Sequence, residues 1–313
     1  MKNFFFITPY HYDHTISSVV QGLQKLKYNV FSNSDHNYVV KYLQNLNTQV
    51  KAANMSDVVI LSHSALELKY KNLIQPLLKE VDKIDIFLDG SDSKENEADP
   101  NNFKLYLKRE LVNRSEYKNI EPLIFAAEDR YFNYHDFDFE NIWNRKNDNL
   151  VCIMSSCEKR PWRFDIMNTL KENFSDNDKF FIGEYRQGDT IKFDTGDRHY
   201  SGYFNKLLNS KISVDAYGAF EARQTGRFWE SIANGCCLFY QPIEPHIWPN
   251  GFEDGKNIVI YSDEKDLVEK VKYYINNEDE LKQIAKNGYE HMMKFHRTEN
   301  RGEEFIRYCE TYL

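Results

Sequence analysis

Arg227 and Glu230 stand three residues apart in the run ISVDAYGAFEARQTGRFWESIANGCCLFY. That run reads as a buried strand (Ile212 to Ala216), a polar loop (Tyr217 to Thr225), a short helix (Gly226 to Asn234) and a second buried strand (Cys236 to Tyr240). A helix start presents unpaired backbone N–H groups and a partial positive charge, so it attracts anions. An arginine in that first turn adds a planar fork matched to phosphate oxygens. A carboxylate one turn later can accept hydrogen bonds from ribose hydroxyls. Gly226, Arg227 and Glu230 together suit a nucleoside diphosphate, although the same side chains also suit a solvated i,i+3 pair. Arg163, or alternatively Arg160, flanks Pro161 and offers a second cation for the same phosphates; an ordinary surface arginine is the competing reading.

A second set of candidates lies in the first half. Asp13 and His14 follow one apolar run, His63 ends another, and Asp89 and Asp92 follow a third. Imidazole and carboxylate are the groups suited to taking a proton from a hydroxyl. His14 and Asp92 are the choices for that base, with Asp13, His63 and Asp89 as neighbours. Each has a bland alternative, since histidines are often satisfied structurally and Asp92 suits a turn in Gly-Ser-Asp-Ser. The aspartate-rich turn lacks calcium-loop spacing, so no metal is expected.

These residues need elements to position them. Strands are expected at Phe4 to Thr8, Asn29 to Ser32, Val58 to Ser62, Ile84 to Leu88 and Leu123 to Ala126. Helical spacing marks Thr15 to Leu26, and helices are also expected over Leu66 to Lys79 and Phe103 to Val112. A polar segment, Tyr134 to Asn149, reads as a linker, with Trp143 set to pack. Alternation resumes with strands at Leu150 to Met154, Lys179 to Gly183 and Ile258 to Tyr261. The matching helices are Trp162 to Asn173, Tyr200 to Leu208, Asp263 to Ile275, Glu278 to Phe295 and Thr298 to Tyr312. Strands alternating with helices imply parallel sheets covered on both faces. The fold class expected is α/β, two Rossmann-like domains facing a central cleft. The divisions fall at residues 1–145, 146–296 and a final helix, 297–313, crossing back to the N-terminal domain.

Ligands bind such sheets at the carboxyl ends of their strands. That rule puts Pro9 to His14, Ser62 to Ser64 and Asp89 to Ser93 on one wall of the cleft. Ser155 to Arg163, Gly183 to Gln187 and Tyr217 to Arg227 fall on the other, which adds Tyr217, Gly218 and Glu221 as cleft candidates.

Bulk properties narrow the partners. The 313 residues are 41% hydrophobic and 28% charged, as in ordinary globular chains. A net charge of −8 argues against gripping nucleic acid over a broad surface. The five cysteines show no metal spacing, and their odd count favours a reducing compartment. No segment is apolar enough to span a bilayer, and MKNFFFITPY lacks a signal-peptide cleavage site, so a cytoplasmic protein is expected.

Arg227 to Arg301 resembles the C-terminal part of GT-B glycosyltransferases, through RFWESIANGCCLFY and GKNIVIYSDEKDLVEKVKYYINNEDELKQIAKNGYEHMMKFHRTENR. It is most similar to the group 1 glycosyl transferase domain of CgeB-like proteins, with a more distant echo of exostosins. SSCEKRPWRFDIMNTL and YFNKLLNSKISVDAYG extend the resemblance upstream, and FITPYHYDHTISSVVQGLQKL does so more loosely. The resemblance implies a metal-independent, cofactor-free glycosyltransferase with a nucleotide-sugar as substrate. Arg227, Gly226 and Arg163 or Arg160 would hold the donor diphosphate, and Glu230 the ribose. The acceptor is open: a glycan, a protein, a small molecule or a modified DNA base. A GT-B nucleotide-sugar epimerase and a non-catalytic nucleotide-sugar-binding protein are the competing readings.

Overall fold

The computed structural model describes residues 2–9, 12–35, 41–93, 95–109, 111, 117–132, 137–155, 160–174, 178–185, 201–218, 225–242 and 251–313. It divides into two compact units, Met1–Glu128 with His296–Leu313, and Asp129–Phe295. The sequence-based divisions at residues 145 and 296 differ from these chiefly because the segment read as a linker folds with the second unit.

The first unit runs β1 (Asn3–Ile7), α1 (His14–Lys25), β2 (Asn29–Ser32), β3 (Lys41–Tyr42), α2 (Leu46–Asn54), β4 (Val58–Ser62), α3 (Leu68–Glu80), β5 (Ile86–Asp89), β6 (Leu105–Lys108) and β7 (Ile120–Pro122). Its seven strands pair in the order β3-β2-β1-β4-β5-β6-β7, all parallel. Phe4 and Phe6 face one covering layer and Phe5 and Ile7 the other, as the two-residue period of a strand requires. Both faces are apolar because helices cover both.

The second unit runs α4 (Phe139–Asn144), β8 (Asp148–Ser155), α5 (Pro161–Phe174), β9 (Phe180–Tyr185), α6 (Ser201–Asn209), β10 (Ser210–Val214), α7 (Gly226–Ala233), β11 (Cys237–Tyr240), β12 (Val259–Ile260), α8 (Glu264–Asn276) and α9 (Glu278–Phe295). Its sheet order is β12-β11-β10-β8-β9, again parallel. The last helix, α10 (Thr298–Tyr312), packs on α1 in the first unit. A Cβ at Gly22 would sit 2.1 Å from the Thr298 carbonyl oxygen and 2.7 Å from the Gly302 nitrogen, so glycines set this close crossing.

Three expectations are corrected. The stretch read as a helix from Phe103 contains β6, whose four residues are all buried. A short apolar run looks alike in a buried strand and a helix; here pairing with β5 and β7 decides it. Leu123 to Ala126 is not a strand; the sheet ends at β7, and the Ala126 N–H turns to Ser18 Oγ at 3.2 Å. The expected linker contains α4, capped by Asp138, with Trp143 only 5% exposed.

Candidate active site

In the second unit, Asp215 follows β10 and organises the start of α7. It is 1% exposed, and its carboxylate accepts from Arg227 Nε at 2.9 Å and from the Thr225 hydroxyl. Its backbone oxygen accepts the Tyr261 hydroxyl at 2.8 Å. Thr225 occupies the N-cap of α7 but makes no side-chain capping bond, because its hydroxyl is drawn to Asp215. The helix therefore begins at Gly226 without the usual side-chain cap on its N–H groups. Arg227 is fixed through Nε, and its side chain is 17% exposed.

Charge explains the rest. Burial disfavours the Arg227 cation, but Asp215, Tyr203 and Glu230 outweigh it and hold its pKa above the ordinary value. Burial raises the Glu230 carboxyl despite Arg130, Arg227 and a hydrogen bond with Tyr203. Arg163 is pushed down to about 10, first by burial and then by Arg227 beside it. Arg130, Arg160, Arg163 and Arg227 thus share one electrostatic neighbourhood with two carboxylates, Asp215 and Glu230, leaving cations in excess among the described residues.

Arg163 is not the ordinary surface arginine of the competing reading. It is 1% exposed in the first turn of α5, and Nε and Nη2 donate to the Tyr217 carbonyl at 3.2 and 2.6 Å. Its task here is to hold the loop after β10, where the Tyr217 N–H also donates to Gln241 Oε1 at 3.2 Å. Gly218 follows on that loop, half-buried, and Arg160 precedes α5, also half-buried. Glu221 lies outside the described residues.

In the first unit, Asp13, His14, His63 and Asp92 line one cavity of about 520 Å³, with Tyr12, Thr15, Gly90, Arg109 and Phe125 among its other walls. His14 opens α1, and its Nδ1 lies 3.1 Å from Glu128 Oε1. Glu128 is fully buried and also accepts from the Tyr12 hydroxyl and, at 3.4 Å, from Ser17 Oγ. A carboxylate holding Nδ1–H leaves Nε2 with its lone pair, the arrangement a general base needs.

Asp13 serves structure: Oδ1 caps α1 through the N–H groups of Thr15 and Ile16, at 2.9 and 3.2 Å, and Oδ2 accepts Ser64 Oγ at 2.6 Å. Asp89 lies under the cavity rather than in it. It is fully buried and accepts from Lys108 Nζ at 2.8 Å, Tyr106 Oη at 2.6 Å and Ser91 Oγ at 2.7 Å. Burial alone would raise its carboxyl, yet Lys108, Ser91 and Tyr106 hold it below the usual range. Asp92 is exposed and paired with Arg109, so its carboxylate already has a cation for a partner. Arg109 in turn stacks over Phe125, 4.7 Å from the ring centre.

Sequence reasoning missed Asp215, Glu128, Tyr203, Arg130 and Arg109. Asp215 was the most findable, a lone acid inside the run Ile212 to Ala216. Glu128 stands just past the apolar LIFAA run, but its pairing with His14 joins positions far apart in sequence.

Residues 181–307 match the glycosyl transferase-like family. The chain carries a glycosyltransferase domain on a GT-B fold. The family match stands one level above the CgeB-like or exostosin-like placement. HepE of Anabaena, solved in complex with UDP-glucose, superposes at a TM-score of 0.61 and 10% identity, covering 99% of this chain and 100% of its own. A glycosyltransferase from Rickettsia africae reaches 0.60 at 11% identity, over 99% of this chain and 98% of its own. Sucrose-phosphate synthase of Thermosynechococcus elongatus reaches 0.57 at 10% identity, over 99% of each chain. At such identities the likeness is one of fold. No curated protein sequence matches the chain. Among the described residues, no helix is long and apolar enough to cross a membrane.

Proposed function

We infer that this glycosyltransferase takes its sugar from a nucleotide-sugar donor and moves it to an acceptor hydroxyl, using side-chain cations where other enzymes use a metal. The observation that carries the reading is the cationic excess around the uncapped start of α7. A nucleoside diphosphate-sugar is a dianion, and the leaving diphosphate gains a further negative charge as the glycosidic bond breaks with its electron pair on oxygen. Arg227, aimed by Asp215, would bind the diphosphate with the N–H groups at Gly226, and Arg160 would assist. Arg163 would act by fixing the Tyr217 loop and adding its charge. Glu230 would accept the ribose hydroxyls. HepE, of the same fold, was solved with UDP-glucose, which makes that compound the first donor to try.

A hydroxyl held in the cavity of the first unit would give its proton to His14 Nε2. In transfer, the acceptor oxygen bonds to the anomeric carbon as the carbon–oxygen bond to the diphosphate breaks with its electron pair on the diphosphate. Glu128 holds the imidazole in the needed tautomer and stabilises the imidazolium. Asp92 would serve with Arg109 to shape the cavity.

Calorimetry with UDP-glucose tests the donor site. Arg227→Ala should weaken binding on the order of a hundredfold, the worth of a charge-assisted bidentate contact, measured below the variant's melting temperature because buried Asp215 loses its cation. Equal binding by wild type and variant would sink the assignment. Release of UDP only when an acceptor is present separates transfer from epimerisation. Donor binding with no turnover under any acceptor would leave a binding protein.

A further inference from the structure

We propose that His63 is a positioning residue for the acceptor, set as a hydrogen-bond donor in the cavity where His14 is set as an acceptor. The inference rests on the transfer reading above. The two imidazoles are pinned through the same ring atom by partners of opposite polarity. His14 Nδ1 faces the buried Glu128 carboxylate at 3.1 Å, and a carboxylate only accepts, so Nδ1 carries the proton and Nε2 the lone pair. His63 Nδ1 accepts the Gly90 backbone N–H at 3.0 Å, so the neutral ring carries its proton on Nε2.

Gly90 makes this possible. A Cβ there would fall 2.6 Å from Thr15 Oγ1, so glycine lets the backbone pass Thr15 while it donates to the ring, and His63 Cε1 lies 3.5 Å from the same point, in ordinary contact. The same geometry gathers Thr15 Oγ1 and His63 around one point. Thr15 is 1% exposed and lines the cavity, and its hydroxyl has no hydrogen-bond partner among the described residues. An unmatched buried hydroxyl is costly, and a polar ligand relieves it.

A lone pair and an N–H in one cavity select a ligand that can both donate and accept. A hydroxyl-rich, uncharged acceptor such as a sugar residue does so: one hydroxyl donates to His14, while a neighbouring oxygen accepts from His63. An ionised phosphate or carboxylate group has no proton to give His14. It would also meet Asp13, Glu67, Asp92 and Glu97, which outnumber Arg109 among the described lining residues.

Imidazole ¹⁵N spectra of the full chain, assigned with His14→Gln and His63→Gln, test the tautomers at a pH where both rings are neutral. His14 should be the Nδ1–H form and His63 the Nε2–H form; the same form in both, or the reverse, overturns the proposal. A kinetic arm uses UDP-glucose with a methyl glucoside as the acceptor probe. His63→Ala should raise the acceptor KM roughly three- to tenfold, the worth of one neutral hydrogen bond, with donor affinity unchanged. His63→Gln, which keeps an N–H near the Nε2 position, should recover most of it. Equal losses in Ala and Gln count against the role. The spectra need no turnover, so a wild type that releases no UDP counts against the transfer reading, and the acceptor role of His63 with it, while the spectra still decide the two tautomers.

Discussion

The two candidate regions are built on the same kind of strand end but handle charge in opposite ways. After β10, the buried acid Asp215 is given a cation, Arg227, that stays 17% exposed. After β5, the buried acid Asp89 is saturated by Lys108, Tyr106 and Ser91, and its cation is itself 1% exposed. The first arrangement aims charge outward and suits binding. The second consumes charge and suits a floor. Equivalent places in two parallel sheets thus yield a ligand site or a foundation according to how the partner cation is spent.

The largest expected effect breaks the division of labour between units. His14→Gln should lower kcat on the order of 10²–10⁴-fold, the usual contribution of general base catalysis, and leave the UDP-glucose Kd alone. Arg227→Ala should do the converse, and both constants moving together in either variant would erase the distinction. Asp89→Asn should cost about 3–5 kcal/mol by leaving Lys108 buried without its counter-charge, read by chemical denaturation. A loss below about 1 kcal/mol would mean that Asp89 is not the floor described. Asp215→Asn should cost less stability, because Arg227 is partly exposed, but should weaken donor binding roughly tenfold by releasing the aimed guanidinium.

The smallest effect is a difference in sign. The Asp89 carboxyl is held below its usual range, so its stabilisation is present above about pH 4 and is lost as pH falls through the folded value. The Glu230 carboxyl is held above its usual range, so the folded state binds the extra proton and stability falls as pH rises through that window. Stepwise denaturation across the acid range should show Asp89→Asn flattening the first dependence and Glu230→Gln the second. Like signs in both would refute the contrast.

Much of the scaffold was legible because hydrophobic periodicity reports burial directly. Asn29–Ser32, Val58–Ser62, Glu278–Phe295 and Thr298–Tyr312 fall where the pattern puts them. It failed at β6, where LYLK is buried on every side and carries no period to read. The candidate site divides in the same way. Arg227 was visible because a cation in a helix's first turn is a local feature. The surroundings of Arg163 and Asp89 were not legible, because their burial and partners come from residues distant in sequence.

The sequence by itself determined the alternating α/β plan, the phosphate-suited start of α7 and the histidines and acids at strand ends. Those are local properties of period, capping and residue type. Only the tertiary structure decided which charges face a ligand and which are spent inside. Asp215 meets Arg227, Glu128 meets His14 and Gly90 meets His63 through folding, and a polar group's chemistry depends on the partner that folding gives it.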